Sequence, residues 1–222
     1  MPPFRHLVLA PGHAVWTLRG DPLDERTWRL KPFQNGEPRY FIEHIEAGVR
    51  LAAADLASLL LFSGGATEKA AGPVTEALSY WMIAAHYRWW GHEIAERAFT
   101  EEYALDSFQN LLYGLYRFQQ IAGCWPERIT VCGWGFKRRR IAELHRAALR
   151  WSGELNYVAV NDPPNLEAVR EREAGTCLEF EADPFGVRAP IAAKRASRDH
   201  FRRVAPYRIP ALEQDPQFPW AR

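Results

Sequence analysis

Short apolar runs alternate with segments of helical period along most of this 222-residue chain. No other feature constrains the fold as much. Residues 6–11 (HLVLAP), 57–62 (ASLLLF), 128–132 (RITVC) and 155–160 (LNYVAV) read as buried strands, and 94–99 as a shorter one. Between them, 40–54, 75–89, the segment from Asp106 or Ser107 to Gly123, and 136–149 carry apolar residues at helical spacing. Strand, helix, strand, helix predicts an α/β fold: a Rossmann-like three-layer sandwich with a mostly parallel sheet, binding its ligand at the carboxyl ends of the strands.

Each strand runs into a distinctive loop: Pro11-Gly12-His13, Ser63-Gly64-Gly65-Ala66-Thr67, Thr100-Glu101-Glu102, and Gly133-Trp134-Gly135-Phe136-Lys137-Arg138. A parallel sheet puts all of these on one edge. Glycine turns and helix N-termini expose N–H groups that suit phosphate, sulfate or carboxylate. Neither glycine loop is a P-loop or a G-x-G-x-x-G fingerprint. The candidate proton-transfer residues are His13 and Glu101. Gly12, Ser63, Gly64, Gly65, Thr67, Glu102, Asp106, Ser107, Asn110 and Trp134 are candidate ligand contacts. Each also has a plain structural reading: glycines for tight turns, Asp106 or Ser107 as a helix N-cap, the glutamates as solvated loop charges. Lys137 to Arg140 sets four cations at the positive end of a helix dipole, against the usual rule. At most two of the four face one ligand, and Lys137 and Arg138 lie nearest the strand end.

Residues 14–39 are rich in Pro, Gly and charge without a period, and a loop of that length is expected to be a functional flap near the site. After Pro164 the character changes. Residues 165–180 look helical and charged, and 183–222 are rich in Pro and Arg without clean periodicity. The division expected is a Rossmann-like domain over 1–163 and a C-terminal extension over 164–222 wrapped on it. A net charge of +1 argues against a nucleic-acid partner. The apolar run near the N-terminus is too short for a signal h-region, and no run approaches a membrane span. Cys124, Cys132 and Cys177 match neither a zinc nor a redox spacing and read as free thiols. His86, His92 and His145 stand apart in sequence, so no metal site is expected. The reading is a cytoplasmic protein without membrane contact, with self-association left open.

The segments HLVLAPGHAV, LLLFSGGATEKAAGPVTEA, EEYALDSFQNLL and ITVCGWGFKRRRIAELHRAAL, in this order, resemble the domain-of-unknown-function family 218, the YdcF-like family that includes the SanA and ElyC proteins. The tail looks like that of its longer, soluble branch found in fungi. The resemblance implies a Rossmann-like fold with a cleft at the strand ends, and matches Ser63, Gly64, Gly65, Glu76, Glu101 and Asn110 to cleft residues. It also implies S-adenosylmethionine as a cofactor, by analogy with a bacterial member. Where many bacterial relatives carry a Ser- and His-containing loop, this chain has Phe136-Lys137-Arg138.

Two functions fit these features. One is an enzyme acting on a small anionic, phosphorylated or nucleotide-like molecule. The alternative is a non-catalytic binding or regulatory module for a nucleotide-like ligand such as S-adenosylmethionine. A third reading is an interaction protein anchored by Trp89 and Trp90.

Overall fold

A computed structural model describes residues 4–221. Five parallel strands form the central sheet: β1 (His6–Pro11), β4 (Ser58–Ser63), β5 (Ala98–Glu101), β6 (Arg128–Trp134) and β7 (Glu154–Asn161), in the order β5-β4-β1-β6-β7. The fold is α/β, a Rossmann-like three-layer sandwich. Two short strands, β2 (Val15–Trp16) and β3 (Trp28–Arg29), pair antiparallel within the excursion that follows β1.

Alternation along the strands sorts the core into two faces. Leu7, Leu9, Leu59, Leu61, Ile129 and Val131 point to one side. There they meet α3 (Ser107–Ala122), the helical segment from Arg140 to α4 (Arg146–Ala148), and α5 (Leu166–Ala182). Val8, Ala10, Leu60, Phe62 and Cys132 point to the other side, against α1 (Pro38–Ala53) and α2 (Glu76–His86). The helix layer therefore changes face between α2 and α3. In such a sheet the change of direction opens a crevice between the first and fourth strands, here β1 and β6, outside their carboxyl ends.

The helix ends follow local chemistry. Asp106 caps α3 by accepting from Gln109 N, and Gly123, in the left-handed region at φ 74°, ends it. Thr75 caps α2. The expected continuation of that helix to Trp89 does not form, because Arg88, Trp89 and Trp90 all have φ near +50°. The expected strand over 94–99 is displaced. A turn occupies Ala95–Arg97, where the Arg97 guanidinium donates to the Asp55 and Ser58 carbonyls, and the strand begins at Ala98.

The C-terminal extension is more regular than its sequence suggests. It contains α6 (Ile191–Arg198), an eight-residue helix that buries only Ile191 and so leaves no periodic stripe to read. Phe180, Ile191, Phe218 and Trp220 join the core on the α3 face. Among the described residues no helix is long and apolar enough to cross a membrane. Cys124, Cys132 and Cys177 are free.

Candidate functional site

A cavity of 460 Å³ lies at the β1/β6 crevice, within the size range of small-molecule sites. Its floor is Gly12, His13 and Glu76, and Trp134 and Lys137 rise from the end of β6. Asp106, Ser107 and Asn110 enter from the first turn of α3. The excursion after β1 forms one wall through Lys31, Phe33, Gln34 and Glu37, where Gln34 Nε2 donates to the His13 carbonyl at 2.9 Å. Residues 14–39, expected to form a flap near the site, contribute this wall of the cavity. The opposite wall belongs to the C-terminal extension: Arg172, Glu173 and Thr176 of α5, and Lys194 and Arg198 of α6.

The glycines after β1 and β4 make room for Glu76. Strand register sets Pro11 beside Ser63, so Gly12 and Gly64 lie side by side, and Gly12 N donates to the Ser63 carbonyl at 2.7 Å. A Cβ on Gly12 would fall 2.5 Å from Glu76 Cβ, and one on Gly64 2.6 Å from Glu76 Oε2. Glu76 accepts from the Thr67 hydroxyl through Oε1. Burial pushes its pKa up, against the opposing pull of the Thr67 hydrogen bond and of Arg198, Lys31 and Lys137.

The rest of the Ser63-Gly64-Gly65 loop does not open on the cavity. Gly64 N donates to the Glu101 carbonyl and Gly65 N to the Ala104 carbonyl, so both glycine donors are used within the protein. The fully buried Ser63 hydroxyl donates to Glu101 Oε2 at 2.7 Å and lies 2.9 Å from Asn110 Oδ1. Glu101 is 1% exposed and accepts also from Tyr103 N at 2.8 Å and from the Tyr207 hydroxyl of the tail at 3.3 Å. Its pKa is raised to about 7 by desolvation, which outweighs those hydrogen bonds. Glu101 is a bracket that ties β4, the loop after β5 and the tail together. Glu102 is likewise outside the cavity, taking hydrogen bonds from Thr75 and Thr100.

The loop after β6 behaves differently. Lys137 Nζ lies 3.3 Å from His13 Nδ1 and makes no ion pair among the described residues. Desolvation first, then the like charge of Arg140, bring its pKa down to about 7. Arg140 is 8% exposed, one helical turn along from Lys137, and pairs with Glu173 at 2.8 Å. Arg138 is exposed and lies over the Tyr157 ring, outside the cavity. Helical spacing explains this. Residues three apart share a face, whereas neighbours are turned about 100° from each other, so the inward partner of Lys137 is Arg140. The stretch Arg140–His145 is π-helical, a form that recurs at functional sites.

His13 stacks on Trp134 at 5.9 Å and meets the edge of His44 at 5.3 Å. Its Nε2 is buried without a partner. Desolvation, then Lys137, drive its pKa well below the ordinary value, so it stays neutral. Glu37, at the start of α1, has its pKa raised to about 7 by burial. With Glu37 as N-cap and Pro38 lacking an N–H, the first helix does not offer the phosphate seat that it provides in dinucleotide-binding folds. The cationic seat is at the β6 end instead. Asp106 is committed to Arg195 at 2.5 Å, and Ser107 Oγ lies 2.8 Å from His145 Nε2.

Sequence reasoning missed Lys31, Glu37, Arg140, Glu173, Lys194 and Arg198. Only the spacing of Arg140 from Lys137 carried a local signal. The others arrive by tertiary packing from segments whose sequence does not mark them as facing the ends of the strands.

No family model matches the chain, and no solved structure matches it. It is 25% identical to the uncharacterized protein YOR238W of Saccharomyces cerevisiae, over 96% of this chain and 93% of the yeast protein.

Proposed function

We propose that this chain is an enzyme that acts on a small anionic, phosphorylated or nucleotide-like molecule in the β1/β6 cavity. One observation carries the reading: Lys137 is a half-buried cation at a switch-point crevice with no carboxylate partner among the described residues. A partly desolvated charge without a counter-ion is costly, and an anionic ligand supplies that counter-ion. The Nη donors of Arg140 and two of the three guanidinium nitrogens of Arg198 make no hydrogen bond to the described residues, so they are free to join it. Catalysis is favoured over passive binding because an acid and a base of converging pKa share the cavity. Burial lifts Glu76 toward its neutral form and lowers Lys137 toward its own, and opposed shifts of this kind mark acid–base pairs. Membership of the YdcF-like family, supported by the segments quoted above, and a cytoplasmic setting, supported by the three free cysteines, are part of the same proposal.

The experiment is a thermal-shift panel of phosphate, pyrophosphate, adenine nucleotides, sugar phosphates and S-adenosylmethionine. Ligand at one hundred times its Kd adds about 2.7 kcal/mol, or about 5–10 °C in Tm for a domain of this size. At least one anion is expected to give that shift in the wild type and not in K137Q. A panel without any shift removes the reading.

A further inference from the structure

The chain has 28 lysines and arginines, of which only four are lysine: Lys31, Lys69, Lys137 and Lys194. Three of those four line the cavity, against three arginines (Arg140, Arg172, Arg198) out of all the rest. Elsewhere the chain uses arginine almost alone for positive charge. The two residues differ chemically in one decisive way: a lysine loses its proton in a buried site, and an arginine does not. Lysines gathered in one cavity therefore suggest that a neutral amine is needed there.

Lys137 is the one built for it. Its Nζ is oriented by His13 Nδ1 at 3.3 Å and faces no carboxylate at ion-pairing distance. The charged groups that bear on it come from every surrounding element: Arg140 on its own helix, Glu173 from α5, Arg198 from α6, Glu76 from α2, and Glu37 at the start of α1. Arg140 and Arg198 disfavour its ammonium form. Glu173 is already paired with Arg140, and Glu76 and Glu37 are themselves shifted toward neutrality by burial. Lys31 is 3.7 Å from Glu68. Lys194 too makes no ion pair among the described residues, but it is exposed on α6. Only Lys137 is both partly buried and set against an imidazole.

We propose that Lys137 is a nucleophile that forms an imine with an anionic carbonyl compound, a phosphorylated aldehyde or ketone, whose anionic group rests on Arg140 and Arg198. The amine nitrogen adds to the carbonyl carbon, and one amine hydrogen passes to the oxygen. Glu76 in its protonated form gives a proton to the resulting hydroxyl, and the C–O bond breaks. The carbonyl oxygen thus leaves as water holding one amine hydrogen and the Glu76 proton. The Glu76 carboxylate takes the remaining hydrogen from nitrogen and is protonated again, leaving the neutral imine. No oxidant or reductant is required. This inference rests on the anion-binding reading of the cavity and adds to it the reacting group and the substrate class.

The test uses the full chain and pyridoxal 5′-phosphate, a phosphorylated aldehyde, with borohydride reduction and peptide mapping. One label per chain is expected on Lys137, at least about tenfold faster than on Lys69 outside the cavity, with a half-maximal rate near pH 7 and not near the ordinary lysine value of about 10.4. K137R keeps the cation and is expected to lose the label. Pyridoxine 5′-phosphate has no aldehyde and is expected to slow the labelling by competition. If the competitor shields the cavity and Lys137 still forms no imine, the nucleophile role is overturned and the anion site stands. Labelling of Lys69 as fast as Lys137, or a rate midpoint above about pH 9, also overturns it. If neither phosphate compound binds, the anion-site reading falls as well.

Discussion

The loops after β4 and β6 look alike in sequence, each an apolar strand ending in small residues and then a helix start. They do opposite jobs. The β4 loop is closed: its glycine N–H groups bond to the Glu101 and Ala104 carbonyls, its serine to the Glu101 carboxylate, and its glycine void is filled by Glu76. The β6 loop is open, with Lys137 and Arg140 turned into the cavity. Strand order makes the difference. Both strands lie between two others, but on either side of β4 the connecting helices α1 and α2 return on one face. Between β1 and β6 the helices part to opposite faces and leave space.

The comparison can be broken most forcefully in the closed loop. E101A strands the Ser63 hydroxyl and the Tyr103 and Ala104 N–H groups in a dry site, and is expected to lower stability by about 4 kcal/mol in urea unfolding. Ligand binding by the folded fraction should survive. R140A, in the open loop, leaves Glu173 buried without its cation and is expected to lose about 3 kcal/mol together with anion binding. An R140A protein that binds the anion normally would erase the distinction between the loops.

G64A is next in size. It forces φ +153° on a residue with a Cβ and drives that Cβ into Glu76. A loss of about 2–3 kcal/mol is expected, read by thermal unfolding.

Acidity separates the two regions with opposite signs. The pKa of Glu101 is raised above its unfolded value of 4.5 to about 7. The neutral form is therefore favoured in the fold, and its contribution is fully present below 4.5 and is lost as pH rises through about 7. E101Q should gain on the wild type by about 2–3 kcal/mol between pH 5 and pH 8. The pKa of Lys137 is depressed from 10.5 to about 7. The penalty of burying it is complete below about 7 and is relieved as pH rises toward 10.5, so any stability advantage of K137Q should shrink over that interval. Parallel pH dependences for the two variants would contradict the contrast.

R138A is the smallest effect. The side chain is exposed beside Tyr157, and a change within about 0.5 kcal/mol, with unaltered ligand binding, is expected.

The layers of the fold were legible because they rest on local patterns. Asp106 and Gly123 bracket α3, and odd and even positions of β1 divide cleanly between the two core faces. The strand order was not legible, because register between distant strands leaves no mark in any one of them. The site was legible in part for the same reason. Gly12, His13, Glu76, Asp106, Ser107, Asn110, Trp134 and Lys137 all follow strand ends or open helices and line the cavity. Ser63, Gly64, Gly65, Thr67, Glu101 and Glu102 share those local positions, yet they face neighbouring segments instead. Lys194 and Arg198 come from α6, whose single buried residue, Ile191, gives no period to detect.

The most direct test of the central claim is the Tm rise produced by pyrophosphate in three proteins: wild type, K137Q and S63A. The account predicts a rise in the wild type that S63A retains and K137Q loses. A rise that K137Q keeps, or that S63A loses as completely as K137Q, would contradict it and put the ligand in the β4 loop or nowhere in this crevice.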